Sequence, residues 1–109
     1  MNVEKKHKYL QMTKFGLISN MGKIEHFIIK QIKEERYVLT VHVRKRMAER
    51  FISDNDIIEM AKTLKSIMRQ EDNDTYLLKG LDSWGEQLHA SVAVRENVII
   101  VTIFYKEQR

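Results

Sequence analysis

In the stretch from Tyr37 to Ser53, YVLTVHVRKRMAERFIS, a histidine and two arginines recur at intervals of four: His42, Arg46 and Arg50. At about 100° per residue, a helix here puts His42, Arg46 and Glu49 within about 60° of one another, with Arg50 beside them. Histidine and glutamate can take a proton from a hydroxyl and return one to a leaving oxygen, and arginine can hold a phosphate while charge develops on it. That combination suits metal-free cleavage of RNA; without the proton transfers it suits the gripping of a polyanion. Arg44 and Lys45 in the same segment add cationic contacts for nucleic acid. Plainer roles compete with these. His42 near a helix start can bond the backbone, and Arg46 or Arg50 can pair with Glu49 or with the helix that follows, for only about 0.3 kcal/mol each when exposed.

A second set of reactive types lies near the C-terminus: His89, Ser91, Arg95, Thr102 and Tyr105. His89 and Arg95 are candidate nucleic-acid contacts, and Thr102 and Tyr105 candidates for the catalytic set, with sheet packing or solubility as the plainer role for His89, Arg95 and Tyr105. Trp84, between Ser83 and Gly85 in a turn, can stack on a base or cover a sheet edge. Covering is the expected role.

The surrounding chain must position these groups. Residues 1 to about 19 show no clean period and read as a loosely held arm. Asn20 to Arg36 reads as an amphipathic helix with Ile24, Phe27, Ile28 and Ile32 as its apolar stripe. It can dock on the core or mediate a homodimer. Tyr37 to Val41 has strand composition, and Thr40 can cap the helix that follows. Val43, Met47 and Phe51 form that helix's core-facing side. Ser53, with Asp54 and Asp56 behind it, starts another helix running to about Arg69, whose stripe is Ile57, Ile58, Ala61, Leu64 and Met68.

The run E-D-N-D at 71–74 closes that helix, and the period then changes to strands at Thr75–Lys79, Leu88–Arg95 and Val98–Tyr105. With Glu96 and Asn97 as turn residues, Arg95 opposes Val98 and Ser91 opposes Thr102. Alternation then groups Leu88, Ala90, Val92, Val94, Ile99, Val101, Ile103 and Tyr105 on one face. His89, Ser91, Arg95 and Thr102 share the other with Val98, Ile100 and Phe104. Helices packed on a small, mainly antiparallel sheet make this an α+β fold.

At 109 residues, with 43% hydrophobic and 31% charged residues and no proline, the chain suits a single core. No cysteine is present, so disulfides and thiolate chemistry are excluded. Residues 1–50 hold 12 Lys/Arg against 5 Asp/Glu, and residues 51–109 hold 7 against 10. The cationic excess therefore sits in the half that carries His42, and it favours polyanionic partners. Neither a signal peptide nor a membrane span is evident, which makes the cytoplasm the expected location. P-loop, G-x-G-x-x-G, H-E-x-x-H and G-x-S-x-G patterns are absent, and His7, His26, His42 and His89 lack metal-ligand spacing. No metal or cofactor is expected.

The run T-V-H-V-R-K-R-M-A-E-R-F-I-S-D-N-D-I, Thr40 to Ile57, resembles the opening motif of a widespread small bacterial domain of unknown function, T-x-H-x-x-x-R-M-x-x-R-x-I-S. Members of that family look like distant relatives of the RelE and BrnT toxins. Gly80, Gly85 and the final V-T-I-F-Y, with Thr102 and Tyr105, agree with it, so the resemblance covers residues 37–106. A glycine commonly precedes the Ile-Ser of the motif, and Phe51 stands in that place here.

The resemblance implies a RelE-like α+β domain over residues 37–109, preceded by an arm and helix over 1–36. It also implies a ribonuclease toxin of a toxin-antitoxin pair, with RNA or the ribosome as target and an antitoxin as protein partner. Position by position it points to His42, Arg46 and Arg50, then to Thr102 and Tyr105. The alternative from another class is a non-catalytic nucleic-acid or protein binding module of a phage or mobile element, using the same cationic face.

Overall fold

Along the chain, the computed structural model forms β1 (Leu10–Thr13), β2 (Gly16–Leu17), α1 (Lys23–Lys33), β3 (Tyr37–Leu39), α2 (Val41–Arg50) and α3 (Asp54–Lys62), then β4 (Ser66–Gln70), β5 (Thr75–Leu81), β6 (Gln87–Val94) and β7 (Val98–Tyr105). It describes residues 10–13, 16–17 and 21–107. Hydroxyl caps place the middle helices: Thr40 Oγ1 accepts from the Val43 amide at 3.1 Å to open α2. Ser53 and Asp56 form a reciprocal capping box at the start of α3.

The strands form one mixed sheet in the order β2-β1-β4-β5-β6-β7-β3. β4 to β7 run antiparallel to their neighbours, while β3 lies parallel to β7, with Tyr37 beside Val98 and Leu39 beside Ile100. This is an α+β architecture in which the three helices among the described residues cover one face of an open sheet. Leu78, Leu88, Ala90, Val92, Val98, Ile100 and Ile103 meet Ile28, Ile29 and Ile32 of α1, Val43 and Met47 of α2, and Ile57, Met60 and Ala61 of α3 in one core. Gly80 marks the closest approach: a Cβ there would stand 2.2 Å from the Met60 carbonyl oxygen, so α3 lies directly on β5.

Several expectations need correction. The helix after Ser53 ends at Lys62, and Ser66–Gln70, expected as its last turn, is the strand β4. Thr63 makes the exit: its Oγ1 lies 2.7 Å from the Glu59 carbonyl and accepts from the Leu81 amide at 2.9 Å, after which the Lys65 amide bonds the Lys79 carbonyl. The chain is thereby handed from helix to sheet. Of the expected stripe, Ile57, Ala61 and Leu64 are buried and Ile58 is half-buried, but Met68 lies on the face of β4 opposite buried Ile67. The 71–74 turn is accordingly a hairpin turn, with Asp74 at φ 54°.

Ser91 pairs with Thr102 as expected, but Val94 rather than Arg95 opposes Val98, because the turn holds three residues. An irregularity between Ser91 and Val92 absorbs the difference, with Val101 as the unpaired residue. Beyond it the faces of β7 exchange. Val98 and Ile100 enter the core, and Ile99 falls on the other side.

Val41, expected at a strand end, begins α2 and is 82% exposed. On α1, Ile28, Ile29 and Ile32 are buried while Ile24 and Phe27 are 46% and 38% exposed, so the helix is turned from the expected stripe. Phe51, expected in the core, is 91% exposed. It is the C-cap of α2 at φ 57°, ψ 40°, and this left-handed conformation swings it off the apolar face while Ile52 is buried in its stead. Of the expected N-terminal arm, Leu10–Thr13 and Gly16–Leu17 form paired strands. His7 and the rest of that arm lie outside the described residues.

Candidate functional site

Val43 and Met47 anchor α2 by burial. His42, Arg44, Lys45, Glu49 and Arg50 are exposed around the rest of the helix, with Arg50 in the last turn, and Arg46 is half-buried. The ion pairs among the described residues are Arg36 with Glu34, Lys62 with Glu59, and Arg69 with Asp74. None of the four α2 cations therefore has a carboxylate oxygen within 4.0 Å among the described residues. The alternative of helix pairs with Glu49 is not seen among the described residues. The Thr40 hydroxyl, not the His42 ring, caps the helix.

His89 and Thr102 sit elsewhere. Cross-strand register places them, with Ser91, on the sheet face turned away from the helices. Here polar groups satisfy one another: Ser91 Oγ and Thr75 Oγ1 donate to Gln70 Oε1 at 3.2 and 3.0 Å. His89 meets Phe104 edge to face, with ring centroids 5.2 Å apart. Burial, then the charges of Lys79 and Lys106, push its pKa down, which favours the neutral ring. The sheet separates these residues from His42, Arg46, Glu49 and Arg50.

Tyr105 and Arg95 form neither group. Tyr105 lies on the helix-covered face, and its hydroxyl donates to Asp82 Oδ2 at 2.7 Å; burial, then Asp82, raises its pKa well above the ordinary phenol value. Arg95 is exposed in the β6–β7 turn, where its guanidinium bonds the Val94 carbonyl. The residues singled out by type are thus spread over the outer face of α2, the open face of the sheet, the Asp82 end and a turn.

Sequence reasoning missed the two buried carboxylates that brace the Asp82 end. Asp56 Oδ2 accepts from the Ser53 amide at 2.9 Å and its Oδ1 from the Ser83 amide at 3.0 Å. Burial raises the Asp56 pKa, but the hydrogen bonds from Ser53 and Ser83 together outweigh it and hold the carboxyl below its ordinary value. Asp82 Oδ1 accepts from the Trp84 and Glu86 amides, each at 2.8 Å. The clue was the Asp-Ser-Trp-Gly run, in which an aspartate can bond amides two and four residues on. The turn these carboxylates hold leaves Trp84 85% exposed, so it covers no sheet edge.

A family model described as Domain of unknown function (DUF4258) matches residues 39–105. The chain belongs to the DUF4258 family. The DUF4258 match takes in α2, α3 and β4 to β7, and it begins after α1. No curated protein and no solved structure matches the chain. Among the described residues, no group of three His, Asp or Glu side chains is placed to hold a metal ion. No helix among them is long and apolar enough to cross a membrane.

Proposed function

We propose that this DUF4258 protein is an RNA-directed module of RelE-like type whose contact surface is the outer face of α2. The supporting observation is that, among the described residues, Arg44, Lys45, Arg46 and Arg50 on one well-anchored helix have no carboxylate partner. Unpaired guanidinium and ammonium groups on a rigid element give up little internal interaction when they meet phosphates, and the counterions that RNA releases favour the complex. An RNA, the ribosome or an acidic antitoxin would present the required negative surface.

Metal-independent RNA cleavage, as a toxin of a toxin-antitoxin pair, is the second reading. It is favoured by His42 and Glu49 sharing the exposed face of α2 with Arg46 and Arg50. Because the sheet lies between α2 and Thr102, the proton transfers would fall to His42 and Glu49, with Arg46 and Arg50 as the phosphate clamp.

The test is binding of end-labelled single-stranded RNA at salt from about 50 to 200 mM, alongside incubation of RNA with and without ribosomes. The module reading predicts affinity that falls steeply with salt. The toxin reading adds cleavage and slowed bacterial growth on expression, both lost in His42→Ala while binding persists. Intact RNA and unaffected growth would remove the toxin reading alone. Failure to bind RNA or ribosomes at low salt would remove both.

A further inference from the structure

We infer that the RNA is bound as a single strand, with one base stacked on Trp84 while its phosphates lie along α2. This rests on the RNA-directed reading and narrows its ligand. Trp84 is the only tryptophan in the chain and is 85% exposed, on a turn held by hydrogen bonds to two buried carboxylates. Asp82 holds the Trp84 and Glu86 amides, Asp56 holds the Ser83 amide, and Asn55 Nδ2 donates to Ser83 Oγ at 2.9 Å. Those bonds fix the backbone on both sides of the indole and leave its ring in water. A large apolar ring presented on a rigid support is what a stacking platform requires, since little ordering remains to be done on binding.

Phe51 points the same way. It is 91% exposed, turned off the core by its left-handed C-cap conformation at the end of α2. The two aromatics belong to one end of the molecule. The two oxygens of the Asp56 carboxylate bond the amides of Ser53 and Ser83, so Phe51 lies two residues from one oxygen's partner and Trp84 one residue from the other's. Arg50 adjoins Phe51 and carries the line of α2 cations to this end.

Duplex RNA offers α2 its phosphates but keeps its base faces stacked inside; a single strand offers both phosphates and bases. Within the turn, residues 82–86, the charged side chains are the carboxylates of Asp82 and Glu86, and Glu86 is exposed. A phosphate is disfavoured there, so the group that reaches Trp84 is an uncharged base.

Because Trp84 is the sole indole, its emission reports the contact directly. We would titrate the protein with a labelled single-stranded RNA of about 12 nucleotides and with the same sequence as a duplex, following label anisotropy and tryptophan emission together. The single strand should quench Trp84, and Trp84→Ala should bind it on the order of tenfold more weakly. The duplex should leave the emission unchanged. If the single strand binds by anisotropy without quenching and Trp84→Ala binds equally well, or if the duplex quenches equally, the stacking inference is wrong while the RNA-directed reading stands. If neither RNA changes the anisotropy, both are wrong.

Discussion

The covered face of the sheet is apolar and closely fitted: Gly80 leaves α3 no room to move nearer, and Leu78, Leu88, Ala90 and Val92 are fully buried against the helices. On the open face Gln70, Thr75, Ser91, His89 and Phe104 are polar or mixed, yet they are tied to one another. Above the covered face, α2 carries cations that form no ion pair among the described residues. Histidines and hydroxyls thus occur on both sides of the sheet with different consequences. A polar side chain already satisfied by its neighbours has less to offer a ligand than one held rigidly and left unpaired. On that comparison His89 and Thr102 belong to the sheet's own structure, and the α2 cations are the groups available to an external anion.

If the faces differ in this way, substitutions on them should differ in size. Gly80→Ala forces a methyl group against the Met60 carbonyl, and denaturant unfolding should show a loss of about 3 kcal/mol. Gln70→Ala removes the acceptor shared by Thr75 and Ser91 and should cost only about 1–2 kcal/mol. Equal losses would mean that the open face is as tightly built as the covered one.

Acid should expose a smaller difference. The His89 pKa is depressed in the fold, so its stabilising contribution is complete above the ordinary value of 6.5 and is lost as pH falls through the lower folded value. Asp56 is likewise depressed, from 3.8, so its contribution holds above that value and is lost only as pH falls through its still lower folded pKa. A melting series from neutral to acid pH should therefore weaken the open face first. His89→Asn should remove the first limb and Asp56→Asn the second. A single limb insensitive to His89→Asn would show that this histidine titrates freely.

Much of the fold was legible where the deciding contact is local. Thr40 and Ser53 announce their helices because an N-cap needs only a hydroxyl and the amides that follow it. β7 was legible to the residue, and the Ser91–Thr102 rung with it. What failed depended on distant partners. The spacing of Leu64, Ile67 and Met68 fits a helix as well as a strand, and only pairing with β5 decides between them. The parallel join of β3 to β7 spans about 60 residues of chain and leaves no local mark. Of the candidate site, what was legible is that His42, Arg46 and Arg50 share one helix. Nothing in the sequence told which side of the sheet His89 and Thr102 would take relative to α2. The bracing carboxylates Asp56 and Asp82 read as ordinary cap and turn residues, because their second partners, Ser83 and Tyr105, are more than twenty residues away.

The central claim is that RNA is met by the outer face of α2 and not by the open face of the sheet. Its most direct test is RNA affinity at fixed salt for Arg46→Ala/Arg50→Ala beside His89→Ala/Thr102→Ala, each shown by melting to be folded. The α2 pair should lose on the order of tenfold or more in affinity and lower the salt slope by about 2, while the sheet pair binds as the unaltered protein does. Retained binding in the α2 pair together with loss in the sheet pair would contradict the account.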